Sequence, residues 1–480
     1  MISKKTFYIL LSSALFSLTT IAYFVHLVVA APEGSDDEYK QLRVFTDVIS
    51  LIQKNYVTEV KFPDLVDGAI KGMMSSLDPH SSFMPQESYN ELQVETKGEF
   101  GGLGIEITVR DGLLTVVSPI EDSPAARAGI QAGDQIIKIG DDFTRDLTLV
   151  DAVKKMRGLK GSSIVLSLHR EGYADLIPVT VVRDIIKVRS IKSRMLENGY
   201  GYVKLVQFQE GSADEFSEAI KELSKNQTNK TLKGLVLDLR NNPGGLLTQA
   251  IRVADIFLEG GVVVYTDGRL ESQKQKYYAH RDGDEPKFPL VILINGGSAS
   301  ASEIVSGALQ DAGRALVVGT QSFGKGSVQT ILPLEEGAAL RLTTALYYTM
   351  SGRSIQAQGV TPQVVVQPKK EDKLAAILPR KESDLPGAIK NPNSNGSNSS
   401  GGVKSSAVTP PKASPGGNLN KEDSIPEKED DKELPLKNLM TIPLKELLDE
   451  DIQLREALRL LKTPAEIEHY LGKDNKSVKL

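Results

Sequence analysis

The chain has no cysteine and no tryptophan, and only five of its 480 residues are histidine: His26, His80, His169, His280 and His469. Without cysteine there is no thiol nucleophile, so a thiol protease is excluded. The same lack leaves no disulfide evidence either way, and such a chain tolerates any redox compartment. None of the five histidines stands in a pattern resembling a Ser-His-Asp site, and the His-Glu-x-x-His zinc signature is absent. No metal and no other cofactor is expected. An excess of positive charge is missing too: Lys and Arg total 57 against 62 Asp and Glu, a formal net charge of −5. That balance argues against nucleic acid as a partner.

What is present is enough apolar residue, 40% of the chain, to bury real cores, and enough length for two to four domains. Two segments concentrate the chemistry. Gly297-Ser298-Ala299-Ser300-Ala301-Ser302-Glu303 follows the apolar run 290–294, and Gly319-Thr320-Gln321-Ser322-Phe323-Gly324-Lys325-Gly326-Ser327-Val328-Gln329 follows the run 315–318. Both runs read as buried strands. Small residues around one serine and one lysine are what a serine nucleophile with a lysine base requires. A free lysine titrates near ~10.4, but burial lowers it by up to ~3–5 units. At roughly 7–8 the neutral amine can take a serine proton. Spacing alone does not choose among Ser298, Ser300 and Ser302. Gly319, Gly324 and Lys325 fit a Walker A loop, but Gly326 stands where a Ser or Thr would hold magnesium. A third segment, Leu237-Asp238-Leu239-Arg240-Asn241-Asn242-Pro243-Gly244-Gly245, joins a β-type run at 234–239 to a helical period at 246–257. Its glycines let backbone N–H groups approach a ligand near a helix N-terminus. A tetrahedral oxyanion needs such donors.

In this order the three segments resemble the carboxy-terminal processing (tail-specific) proteases, PDZ-containing serine endopeptidases with a Ser–Lys dyad. The resemblance runs from about residue 39 to about residue 368. It implies Ser300 as nucleophile, Lys325 as base and Gln329 as the residue that orients the lysine amine. The backbone amides of Gly244 and Ala301 are then the oxyanion donors, and Asp311 supports the site. Asp238 and Arg240 read as structural. The implied fold is α/β, a crotonase/ClpP-like core at residues 184–367 with an inserted PDZ domain, a β-rich and partly open barrel, at residues 98–183. Gly101-Gly102-Leu103-Gly104-Ile105-Glu106-Ile107 matches the PDZ carboxylate-binding loop and strand. Gly102, Leu103, Gly104 and Ile105 are the expected peptide-binding residues, by β-addition at the strand edge. Leu149, Ala152, Val153 and Met156 would wall the groove, and Arg157 is a candidate gate. An inactive PDZ scaffold is disfavoured by the intact Ser300, Lys325 and Gln329. An acyl-CoA enzyme is disfavoured by the PDZ-like segment and the export signal.

The flanks are helical or low in complexity. Lys4 and Lys5 precede an apolar stretch ending Val29-Ala30-Ala31, so residues 1–31 read as a signal peptide or a membrane anchor. Either places the rest outside the cytoplasm, in a bacterial periplasm or cell envelope. Residues 39–97 read as a helical region, with Leu42, Phe45, Val48, Ile49 and Ile52 at helical spacing. Leu77-Asp78-Pro79-His80-Ser81 breaks the period, and His80 reads as a turn or packing residue. Residues 368–440 are expected to be a disordered linker. From Asn391 onward this stretch is rich in Asn, Ser, Gly, Pro and charge and holds no aromatic residue. Residues 441–474 form a helical module that docks on a second subunit or partner, or packs on its own core. The expected partners are protein or peptide substrates with free C-termini, a second copy of the chain and an adaptor protein.

Overall fold

The computed structural model describes residues 35–120, 122–197, 199–369, 381–393 and 442–474. The expected leader or anchor and residues 370–380 and 394–440 of the expected linker lie outside them. Among the described residues no helix is long and apolar enough to cross a membrane. The chain divides near Met74 into two units. In the first, the expected helical region takes the form of the helices Ser35–Asn55 and Phe62–Ser75. Ile49 is buried there, whereas Leu42, Phe45 and Val48 stay exposed.

The core of the second unit is written in the alternation of its strands. Leu235 and Leu237 of Gly234–Asp238 join one apolar cluster and Val236 joins another. Leu290, Ile292 and Ile294 likewise separate from Val291 and Leu293. Successive side chains point to opposite faces, so a strand apolar at every position must be covered on both. The sheet runs Ile191–Glu197, Tyr200–Leu205, Gly234–Asp238, Leu290–Ile294, Leu316–Gly319, Val364–Val365. Only the first pair is antiparallel. Helices Ser212–Lys225, Leu247–Asp255 and Ala301–Asp311 supply buried residues to one cluster. The C-terminal helices Leu444–Glu450, Ile452–Leu461 and Pro464–Asp474 cover the opposite face through Leu447, Leu454, Leu458 and Leu461. The C-terminal module therefore packs on its own sheet.

A second, antiparallel sheet pairs Ala339–Thr349 with Ser82–Met84, Gly261–Gly268 and Ser327–Pro333. A separate antiparallel sheet holds Ile105–Arg110, Leu113–Pro119, Gln135–Ile139, Ser163–His169 and Ile177–Val182 in that order. The strands Glu99–Gly102 and Asp184–Lys187 pair where the chain enters and leaves this sheet, as an insertion requires. Of the helix residues expected to wall the groove, Ala152 and Met156 are buried in this sheet's core together with Leu103, and Leu149 is exposed. The expected linker is not unstructured throughout. Residues 381–393 include a turn of 3-10 helix at Glu382–Asp384, and Glu382 and Asn391 are buried against the protease core. Polar side chains that find specific buried partners order this stretch, which composition does not reveal.

Candidate active site

Three loops leave the C-terminal ends of adjacent parallel strands, where open α/β sheets assemble their sites. They are stitched together by side chains of the three segments. Ser298 Oγ donates to the Leu239 carbonyl at 2.8 Å, and Ser302 Oγ donates to the Asn242 carbonyl at 2.9 Å. The Ala299 amide also donates to Asn242 O at 3.0 Å, and the Phe323 amide to Ser298 O at 3.0 Å. Ser298 and Ser302 are fully buried and committed to backbone, which leaves Ser300 as the accessible serine of the three.

Ser300 precedes the helix Ala301–Asp311 in a sharp turn with φ 56° and ψ −114°. A positive φ in a non-glycine residue is strained and is held only by surrounding structure. Here the Ser300 amide donates to Glu303 Oε2 at 2.9 Å. The turn also needs space beside it. Gly244 has φ 107°, and a Cβ there would lie 2.8 Å from Ser300 Cβ and 2.9 Å from Ala299 O. The Ala301 N–H, first of the helix, has no protein acceptor among the described residues, and the helix dipole adds to its field. The Gly244 N–H differs from expectation. It donates to Asn242 Oδ1 at 2.9 Å, a side-chain turn of the kind asparagine favours.

Glu303 is the hub. Its carboxyl is fully buried and accepts from Ser322 Oγ and the Gly324 amide on one oxygen, and from the Ser300 and Lys325 amides on the other. Burial outweighs these four donors and pushes its pKa up to about 7. Lys325 is thereby fixed in register with Ser300 through one carboxylate. Burial lowers the Lys325 pKa, assisted by Arg341 and opposed by Glu382, Glu303 and Asp78. Among the described residues no hydrogen bond joins the Lys325 amine to Ser300 or to Gln329. Instead the Tyr347 hydroxyl donates to the Lys325 carbonyl at 2.6 Å, and its oxygen stands 3.2 Å from Ser300 Oγ. Gln329 Nε2 donates to Ser327 Oγ at 2.9 Å, with Thr343 Oγ1 at 3.4 Å.

Asp311 is not brought to this site. It lies at the far end of its helix, roughly 16 Å along the axis from Ser300, and it binds Ser351 Oγ and Arg353. Asp238 and Arg240 build the structural network expected of them. Burial would raise the Asp238 carboxyl, but Arg240 and Lys204 hold it far below the usual range. Arg240 in turn binds Asp451 and Gln453 of the C-terminal module. On the inserted sheet, Ile105–Arg110 is an edge strand, and the Leu103 and Gly104 amides have no protein acceptor among the described residues. Arg157 stands over the ring of Phe100, which leads into that loop, at 5.0 Å, in a cavity of about 350 Å³ with Glu91, Glu95 and Gln209, and the following Gly158 amide donates to the Gly101 carbonyl at 3.1 Å. Sequence reasoning passed over Glu303, Tyr347, Asn242 and Glu382. Glu303 and Asn242 lie inside two of the three motif segments, whereas Tyr347 and Glu382 carry no local signal.

The fold and this site define a serine peptidase with a mixed α/β core and a PDZ domain. Residues 199–366 match the family model "Peptidase family S41", residues 91–169 match "PDZ domain", and residues 20–88 match "Activating protease CtpB N-terminal domain". The chain is 50% identical over 358 residues to the carboxy-terminal-processing protease of Bartonella bacilliformis, covering 74% of this chain and 82% of that relative. It is 37% identical to the carboxy-terminal processing protease CtpA of Bacillus subtilis, covering 65% of this chain and 66% of that one. A solved photosystem II D1 C-terminal processing protease aligns over 66% of this chain and 85% of its own, at 29% identity and TM-score 0.40. The chain belongs to the carboxy-terminal processing proteases of peptidase family S41.

Proposed function

We propose that this peptidase captures the free C-terminus of an extracytoplasmic protein on its PDZ domain and cleaves the chain with Ser300 and Lys325. The observation that carries the reading is the sorting of three serines. Ser298 and Ser302 are locked to backbone, and Ser300 alone keeps an accessible hydroxyl on a strained turn. Lys325 removes the Ser300 proton as Oγ attacks the scissile carbonyl, then passes it to the leaving amine. The Ala301 amide receives the developing oxyanion, and the Gly244 amide joins it once the Asn242 side chain gives way. Gln329 turns to orient the amine when Lys325 swings toward Ser300. The contact between Tyr347 and Ser300 supports a resting site that substrate must rearrange. The free Leu103 and Gly104 amides suit a terminal carboxylate, and the edge strand suits β-addition.

The N-terminal charged and apolar stretch supports export, with action in a periplasm or cell envelope. The exposed Leu42, Phe45 and Val48 support self-association. The test is peptide cleavage by Ser300→Ala, Ser298→Ala and Lys325→Ala, each checked for its fold by circular dichroism. Ser300→Ala and Lys325→Ala should be inactive. A Ser300→Ala protein as fast as wild type would refute the assignment. Substrates with free and amidated C-termini should differ in rate, and equal rates would remove the carboxylate reading.

A further inference from the structure

We propose that Glu382 is the charge partner of the Lys325 amine, delivered by the segment that follows the protease core and held there by His80. This rests on the reading of Lys325 as the base. A carboxylate with no exposed surface needs a reason to be buried, and here Glu382 has 0% side-chain exposure. Its backbone amide donates to the carbonyl of Phe323, two residues before the lysine, at 3.1 Å. Gln356 bridges to the other side: its Nε2 donates to Glu382 Oε1 at 3.0 Å, while its Oε1 accepts from the Gly326 amide at 2.9 Å. Glu382 is therefore clamped to the lysine loop on both flanks. His80 Nε2 lies 2.9 Å and 2.8 Å from the two carboxylate oxygens.

The charged groups that bear on Lys325 are Arg341, Glu382, Glu303 and Asp78. Two of the three carboxylates are engaged elsewhere. Glu303 receives four donors from its own loops. Asp78 receives the His80 and Ser81 amides, Ser81 Oγ and Thr343 Oγ1. A carboxylate has about four acceptor sites, and among the described residues Glu382 Oε2 meets His80 alone. Glu382 thus keeps capacity for an ammonium. When the Ser300 proton moves from Oγ to Lys325 Nζ, positive charge appears on the loop to which Glu382 is clamped, and a fixed negative charge held there stabilises that state. The Asp78-Pro79-His80-Ser81 turn, which breaks the helical period in the sequence, thereby becomes part of the base's surroundings. The catalytic lysine depends on residues from both sides of the family core.

The experiment is the pH dependence of kcat/KM between about pH 6 and pH 9 for wild type, Glu382→Gln and Glu382→Asp, with Lys325→Ala as control. Removing the negative charge makes the ammonium less favourable, so the neutral amine persists to lower pH. The ratio of Glu382→Gln to wild-type kcat/KM should rise about three-fold or more as pH falls across that range. Glu382→Asp draws the charge back by one methylene and should change the ratio in the same sense by a smaller factor. It also serves if the glutamine variant does not fold. A ratio that is flat, or that falls as pH falls, for the folded variants makes Glu382 a structural tether and overturns the proposal. Cleavage by Lys325→Ala would instead overturn the reading of the base, whatever the Glu382 variants do.

Discussion

Replacing Glu303 by glutamine tests the centre of the site, because the change keeps shape and removes only charge and one acceptor. Glutamine offers one carbonyl oxygen and one amino group where Glu303 has two oxygens, each receiving two donors. The best fit keeps the carbonyl on the Ser300 and Lys325 amides and turns the amino group to Ser322 Oγ. The Gly324 amide is then buried without an acceptor, which costs about 1–3 kcal/mol. Titration acts in the opposite sense. The folded carboxyl is raised from 4.5 to about 7 by burial. Its contribution to stability is therefore full below the unfolded pKa and is lost as pH rises through about 7, a change of about 3 kcal/mol. Wild type should lead Glu303→Gln by about 1–3 kcal/mol near pH 4.5, and the lead should vanish or reverse by about pH 8. Urea unfolding at a series of pH values measures the gap. A gap independent of pH would show that the carboxyl does not titrate in this window. A gap that widens with pH would show that the four donors hold the anion more strongly than burial opposes it. Either result refutes the reasoning.

Gly244→Ala should lower peptide cleavage by about 100-fold or more, because the new Cβ meets Ser300 Cβ at 2.8 Å and misplaces the hydroxyl; unchanged turnover would contradict the geometry. Arg240→Ala should cost about 3–5 kcal/mol in urea unfolding, since Asp238 is fully buried and loses its partner. The same variant should expose the linker side of the C-terminal helices to limited proteolysis, because the contacts with Asp451 go with it. Wild-type cleavage should rise with pH through the Lys325 titration, which burial and Arg341 shift below the ordinary lysine range. A rate that falls as pH climbs past neutrality would remove the neutral amine from the mechanism.

The unbroken apolar runs at Leu235, Val236 and Leu237, and at residues 290–294, are legible as buried strands in the amino-acid order alone. Side-chain period along a strand is a local property, and the loops that follow such strands are the natural place for a site. The candidate serines, the lysine and the glycine loop lie in contiguous segments for that reason. What covers the second face of the sheet is not local. The helices 444–474 reach it from beyond a long polar stretch, and only their packing on Val236, Leu293 and Val318 shows that they belong to the protease core. The choice of Ser300 over its neighbours likewise needs the fold, since it depends on the Leu239 and Asn242 carbonyls that engage Ser298 and Ser302. His80 and Glu382 are the extreme case: 302 positions separate them along the chain, yet their side chains meet within hydrogen-bond distance. Local sequence determined the strands, their turns and the small residues that chemistry requires. Tertiary structure decided which hydroxyl stays accessible, which amides are engaged and which distant carboxylates surround the amine. Burial and partnership are properties of surfaces brought together from remote segments, and no local pattern encodes them.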